Sequence, residues 1–178
     1  MRYTLPSLVA AFAIALPALA SAADDMAKGD LVDAKGETIG TVTLTDGPNG
    51  VILAVEATGL PAGPHGIHIH SVGTCEDASG GFKASKGHVN PGEAAHGLLN
   101  PDGPDSGDLP NLIAHEDGTA TAEFFSDRIA LSDVEGRANL ADGDGSAVVI
   151  HEARDDQMSQ PIGGAGARIA CAVISAGM

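Results

Sequence analysis

The segment Gly66-Ile67-His68-Ile69-His70 alternates two isoleucines with two histidines. Successive side chains of a strand point to opposite faces of a sheet, so His68 and His70 share one face and the isoleucines share the other. Cα atoms two residues apart in a strand lie roughly 6.6 Å apart, which lets two imidazoles reach one metal ion. The segment therefore predicts a strand with an apolar core face and a metal-binding face. His65 has the parity of the isoleucines, so we expect it to face the core.

Short apolar runs separated by Gly, Pro, Asn and Asp occupy much of the remaining chain. Residues 147–151 form one such run, Ala-Val-Val-Ile-His, and further runs cover residues 41–45, 51–56, 119–125 and 168–175. Short strands at this spacing predict an all-β fold, either a sandwich or a barrel. Residues 72–112 show almost no periodicity, and a loop of that length in a compact domain is normally functional or disordered. We interpret it as a functional loop.

This long loop contains the other candidate metal ligands. Together with His151, the histidines His68, His70 and His88 offer four imidazole nitrogens, a set that suits copper(II) in tetragonal geometry. Nitrogen and oxygen donors that suit a tetrahedral zinc ion come from a second set, which comprises His96, Asp105 and Asp108. The pattern predicts a metal site on a β scaffold.

The N-terminus has the layout of a secretory signal. A single cation, Arg2, precedes an apolar run over residues 8–19 and then Ala20-Ser21-Ala22. This order of charge, short apolar centre and small residues predicts a signal peptide over residues 1–22 and one mature domain over residues 23–178. The apolar run is too short to span a bilayer, so we expect no membrane anchor.

Two cysteines, Cys75 and Cys171, would then reach an oxidising compartment, where an even count favours a disulfide over two free thiols. The net charge of the full chain is −15, and removal of Arg2 with the signal would make it −16. Such an acidic protein is a poor partner for nucleic acid or anionic lipid.

Five segments together resemble the copper/zinc superoxide dismutases, and in particular the exported bacterial type. They are Gly66-Ile67-His68-Ile69-His70, Gly87-His88-Val89-Asn90-Pro91, Gly107-Asp108-Leu109-Pro110-Asn111, Val148-Val149-Ile150-His151-Glu152 and Gly163-Gly164-Ala165-Gly166-Ala167-Arg168-Ile169-Ala170-Cys171. The resemblance implies an eight-stranded Greek-key β-barrel with long metal-binding loops, located in the periplasm. It also implies an enzyme that converts superoxide to oxygen and hydrogen peroxide with copper and zinc as cofactors. A homodimer is compatible with the family, and no apolar stripe in the sequence decides the matter.

The resemblance also implies roles for individual residues. Copper would be held by His68, His70, His88 and His151. His88 would bridge to zinc and act as the general acid, and Arg168 would hold the anionic substrate beside copper. Asp155 would link a copper-bound histidine to a zinc-bound one. Zinc would be held by His88, His96 and Asp108, together with a histidine at the position that Asp105 occupies here.

Asp105 is therefore a departure from the family pattern. Zinc accepts carboxylate oxygen as readily as imidazole nitrogen, so we expect Asp105 to be the fourth zinc ligand. The alternatives are a water molecule, Asp102 in its place, or a copper-only dismutase without zinc. A periplasmic copper-binding or copper-buffering protein of the same fold, without catalysis, is the alternative to the enzyme.

Overall fold

The structure is a computed structural model that describes Met1 and residues 26–174. The proposed signal peptide, apart from Met1, lies outside the described residues. Within residues 26–174 the chain forms eleven strands. They are β1 (Met26–Asp33), β2 (Thr38–Gly47), β3 (Gly50–Ala57), β4 (Gly63–His65), β5 (Ile67–His70), β6 (Leu112–Ala114), β7 (Ala120–Ser126), β8 (Ile129–Ala130), β9 (Ala138–Asn139), β10 (Ser146–His151) and β11 (Arg168–Ile174). No helix in these residues is long and apolar enough to cross a membrane.

Seven of the strands form one antiparallel sheet in the order β5-β10-β11-β1-β2-β3-β7. A two-stranded sheet of β4 and β6 connects its two edges, because only Gly66 separates β4 from β5 and a tight turn at residues 115–119 joins β6 to β7. With β4 and β5 taken as one interrupted strand, the ring contains eight strands. The expectation of an all-β, eight-stranded fold is confirmed, and β8 and β9 add a short parallel pair.

The core follows the period of two in the strands. In β3, Val51, Leu53 and Val55 are buried while Ile52 between them is 46% exposed. Ile67 and Ile69 of β5 join the same core, as their parity predicted. A second, smaller cluster surrounds Phe82 beneath the loop that follows β5, and it includes Cys171.

Strand β1 was not predicted from the sequence. Its residues include lysine, aspartate and glycine, which are depleted in strands, and only Ala27 and Leu31 are buried. The strand forms because it fills the space between β2 and β11 and pairs with both. Gly29 permits this pairing, since a Cβ atom at that position would strike the carbonyl oxygen of Val173.

The predicted disulfide is confirmed. Cys75 and Cys171 are bonded, with Cα atoms 5.8 Å apart and a sequence separation of 96. The bond joins the loop after β5 to strand β11. Within this loop the only regular structure in the described residues is two single 3₁₀ turns, Ala78–Gly80 and Lys83–Ser85.

Candidate metal centre

Strands β5 and β10 and one loop bring four histidines together. His68 and His70 lie on β5, and His151 ends the neighbouring strand β10. His88 comes from the long loop, which runs beside β5 and forms an isolated bridge with His70. Donor atoms of His68, His70 and His88 lie within 4.8 Å of one another, and the ring of His151 is centred 4.9 Å from that of His68.

Each of these four histidines has one ring nitrogen near an oxygen and the other without a partner. The free nitrogens, which are buried and lack a hydrogen-bond partner among the described residues, are His68 Nδ1, His70 Nε2, His88 Nε2 and His151 Nε2. The engaged pairs are His68 Nε2 with Asp155 Oδ2 at 2.7 Å, His70 Nδ1 with the Lys86 carbonyl at 2.8 Å, His151 Nδ1 with the Gly166 carbonyl at 3.0 Å, and His88 Nδ1 with Asp105 Oδ2 at 2.8 Å. An imidazole that donates from one nitrogen offers the lone pair of the other to a metal.

Three of these four histidines are uncharged at neutral pH because their pKa values are lowered. Burial alone would lower the pKa of His88 as well, but its hydrogen bonds to Asp105 and Asp108 raise it. Burial, reinforced by the positive charge of Arg168, lowers the pKa of His70 to about 2. Burial and the neighbouring His68 lower the pKa of His151 to about 4. Burial also lowers the pKa of His68, and its hydrogen bond to Asp155 only partly opposes this. Neutral imidazoles are the form that binds copper, so these three need lose no proton to do so.

A second group lies on the other side of His88. It consists of His88, His96, Asp105 and Asp108, which offer donor atoms within 4.8 Å of one another. His96 Nδ1 lies 2.5 Å from Asp108 Oδ1, and His88 Nδ1 lies 2.8 Å from Asp105 Oδ2 and 3.5 Å from Asp108 Oδ1. Ligands at about 2.0–2.2 Å from a tetrahedral zinc ion are separated by roughly 3.3–3.6 Å, so small outward shifts would admit zinc.

The main chain orients both carboxylates of this second group. Asp108 Oδ2 accepts hydrogen bonds from the backbone N–H of Gly97 and of Asp105, at 2.7 and 3.0 Å. Asp105 Oδ1 accepts one from the backbone N–H of Gly107 at 2.9 Å. Each carboxylate therefore has one oxygen tied to the main chain and the other directed at a histidine. Asp102, the alternative to Asp105, is exposed and belongs to none of the donor groups among the described residues.

Without a metal, the charges of the second group are paired with one another, His96 with Asp108. Burial alone would lower the pKa of His96, but hydrogen bonds to Asp108 and Asp155 outweigh it and raise that pKa to about 10. Burial would raise the pKa of Asp108, but its hydrogen bonds to His88 and His96 hold the pKa well below its usual range. A dication with these ligands would therefore replace a proton on His96.

Asp155 spans the two groups. It is 1% exposed, its Oδ2 lies 2.7 Å from His68 Nε2, and its Oδ1 lies 3.2 Å from His96 Nε2. Burial would raise its pKa, but the hydrogen bonds from these two histidines lower it. Asn111 fixes the backbone of Asp155 through a reciprocal pair of hydrogen bonds at 2.8 and 2.9 Å.

A cavity of about 330 Å³ opens at the boundary of the two groups, and His70, His88 and Arg168 are among its lining residues. The guanidinium of Arg168 donates to the carbonyl oxygens of Phe82 and Lys86, both at 2.7 Å. Burial lowers the pKa of Arg168, yet an arginine stays cationic at any physiological pH. The structure thus sets one fixed cation beside the free nitrogens of the histidines.

His65 is not a donor to either group, as its parity predicted. Its nitrogens each lie 2.7 Å from a carbonyl oxygen, of His151 and of Pro61. Sequence reasoning missed Arg128, Gln157 and Gln160, which bind the loops that carry the donors. Each is a single polar residue in a loop, and no spacing in the sequence distinguishes it from a solvated one.

The donor sets fit two different metals. Four free imidazole nitrogens match copper, and two imidazoles with two carboxylates match zinc. His88 belongs to both sets, with Nε2 free on one side and Nδ1 directed at the carboxylates on the other. His88 would therefore offer one nitrogen to each metal.

Comparisons with known proteins agree with this chemistry. Residues 38–174 match the family model described as copper/zinc superoxide dismutase. The chain is 49% identical over 140 residues to a superoxide dismutase [Cu-Zn] of Caulobacter vibrioides, covering 78% of this chain and 79% of the relative. Among solved structures, a SOD-like protein from Bacillus subtilis superposes with a TM-score of 0.77 at 33% identity, covering 82% of this chain and 96% of that one. A Cu/Zn superoxide dismutase from Brucella abortus gives 0.66 at 28% identity, covering 84% and 99%. The chain belongs to the copper/zinc superoxide dismutase family.

Proposed function

We propose that this protein is a superoxide dismutase with copper and zinc as cofactors. The observation that carries the proposal is the set of four buried, unpartnered imidazole nitrogens beside a cavity that also contains Arg168. Copper, when bound by His68, His70, His88 and His151, supplies the one-electron chemistry by which two superoxide ions and two protons become one oxygen and one hydrogen peroxide. Superoxide consumption by the copper- and zinc-loaded protein tests the proposal, and turnover no faster than that of the metal-free protein refutes it.

Arg168 holds the small anion. Its guanidinium is fixed by two carbonyl oxygens, so it presents its charge at one place in the cavity and loses little side-chain freedom when an anion binds. A local cation is needed because the net charge of −15 repels superoxide in general. Lys83 and Lys86 are exposed in the long loop that carries His88, and they do not line this cavity. They therefore add only to the longer-range electrostatic field.

His88 provides the proton. Its Nε2 is buried beside the cavity, while its Nδ1 stays directed at Asp105 and Asp108. Whenever Nε2 is not bound to copper, it would hold a proton beside the cavity and could deliver it to the substrate, so His88 acts as the general acid. The second group keeps the ring in place during this transfer.

Zinc is held by His88, His96, Asp105 and Asp108. Asp105→Ala removes one donor, so we expect zinc to be lost at mildly acidic pH well before the parent protein loses it. Asp102→Ala is the matched control, because Asp102 is exposed in the preceding turn of the same loop and belongs to neither donor group among the described residues. Equal zinc retention by all three proteins across a pH titration would remove Asp105 from the ligand set, and a zinc-free protein with full activity would support the copper-only alternative.

A copper-binding protein without catalysis is the alternative from another class. Such a carrier needs tight copper binding but neither an anion-binding cation nor a proton donor beside the metal. The cavity that joins His70, His88 and Arg168 therefore favours the enzyme. Tight copper binding without superoxide consumption would favour the carrier.

The mature protein resides in the periplasm. Two features support this location: the signal-like layout of residues 1–22 and the disulfide, which persists in oxidising compartments. Mass spectrometry of the protein purified from the periplasmic fraction tests both points. We expect an N-terminus at Ala23, and an intact N-terminus at Met1 would contradict the proposed cleavage.

A further inference from the structure

Arg128 contacts the loop that carries the two carboxylates of the second donor group. It lies between β7 and β8, and 28% of its side chain is exposed. Its Nε donates to the carbonyl oxygen of Asp105 at 3.2 Å, and its Nη2 donates to the carbonyl oxygen of Asp108 at 2.7 Å. One guanidinium thus joins the peptide groups of two residues three apart in the sequence.

The base of this side chain is itself fixed to the sheet. The backbone N–H of Arg128 donates to the hydroxyl of Ser126 at 3.3 Å, and its carbonyl accepts from the backbone N–H of Ala138 at 2.8 Å. Ser126, two residues before Arg128, and Ile129, the next residue, are buried. A planar fork with two donors, held on an anchored backbone, fixes both acceptors more tightly than a flexible amine would.

The segment that Arg128 binds needs such support. Residues 105–108 form a tight turn in which Asp105 donates from its backbone N–H to the carboxylate of Asp108. Asp108 pairs with His68 only through an isolated bridge, and Asp105 has no strand partner among the described residues. The directions of the two carboxylates therefore depend on where their peptide groups are held.

We propose that Arg128 is a positioning residue for the zinc site: it fixes the main chain at Asp105 and Asp108 so that both carboxylates meet His88 and His96. This inference rests on the zinc ligands proposed above. Arg128 touches neither carboxylate at hydrogen-bond distance, and its only ion pair among the described residues is with the exposed Asp127 at 3.7 Å. An exposed pair of that length contributes little to stability, which leaves the two carbonyl contacts as the main function of the side chain.

The test compares Arg128→Lys with Arg137→Lys in the copper- and zinc-loaded protein. Arg137 is a matched control because it also donates to two carbonyl oxygens, of Gly47 and Pro48, in a turn that carries no metal donor. Release of zinc and of copper is followed separately with chromogenic chelators. Loss of a group that orients a metal ligand typically weakens binding about 10–100-fold, so we expect zinc release at least ~10-fold faster in Arg128→Lys. Copper release measured before zinc has left, and both rates in Arg137→Lys, should stay within about twofold of the parent.

Cobalt(II) at the zinc position gives a second readout, because its visible spectrum responds to ligand geometry. We expect Arg128→Lys to change this spectrum and Arg137→Lys to leave it as in the parent. If Arg128→Lys fails to fold, Arg128→Gln, which keeps one donor, takes its place. Zinc release at the parent's rate with an unchanged spectrum overturns the inference, and so does equal acceleration by the two lysine variants. Asp105→Ala separates failure of the Arg128 inference from failure of the proposed zinc ligands. An unchanged cobalt spectrum in that variant refutes the ligand set itself.

Discussion

Removal of the disulfide should cost a large part of the protein's stability. In the double variant Cys75→Ala/Cys171→Ala, the unfolded chain is no longer closed over 96 residues. The chain-entropy relation gives about −16 cal/mol/K for a loop of this length, or about 4.7 kcal/mol at 25 °C. Cys171 is also fully buried against Phe82 and Val149, so the lost sulfur adds a packing cost to the double variant.

Urea unfolding of the metal-free proteins, followed by circular dichroism, measures this loss. Metal-free protein is required because an ion bound only by the folded state would add its own stabilisation. The single variant Cys75→Ala, kept under reducing conditions, opens the loop but retains the buried sulfur of Cys171, and so separates loop closure from packing. We expect it to lose about 4–5 kcal/mol in the free energy of unfolding. A loss below about 1.5 kcal/mol would refute the loop-closure argument.

Three further predictions concern the metal centre. Arg168→Glu should slow superoxide consumption at least ~10-fold at low salt with both metals retained. Arg154 is exposed, so Arg154→Glu should have a much smaller effect. Equal effects of the two variants would mean that Arg168 acts only through the net charge of the protein. Asp155→Asn should release zinc about 10–100-fold faster while copper stays bound. The reason is that the single amide oxygen cannot accept from the ring N–H groups of both His68 and His96. Unchanged zinc retention would contradict the linking role of Asp155. Because the pKa of His96 is raised to about 10, that ring is protonated at pH 7 in the metal-free protein. Zinc should therefore displace at least one proton and bind more tightly as the pH rises from 7 to 9. Calorimetry in buffers of different ionisation enthalpy measures this proton release, and its absence would contradict the prediction.

The strands that carry the histidines could be predicted because burial on one face and function on the other produce a period of two. Residues 66–70 and the end of β10 both show that pattern, and their histidines meet in space because the two strands are paired. Strand β1 could not be predicted, since its pairing with β2 and β11 overrides a composition unfavourable to strands. The pattern also does not reveal Arg128, because its hydrogen bonds go to main-chain oxygens, which no side-chain spacing in the sequence encodes. Asp105 could be singled out only as a departure from the family pattern.

Two residues link the donor groups: His88 belongs to both through its two ring nitrogens, and Asp155 contacts one histidine of each group through its two carboxylate oxygens. An ion in one group therefore changes the free energy of binding in the other. Thermodynamic linkage makes this coupling reciprocal, so the factor by which zinc changes the affinity for copper equals the factor by which copper changes the affinity for zinc. The order in which the two ions arrive then alters the route to the loaded protein but not its final stability.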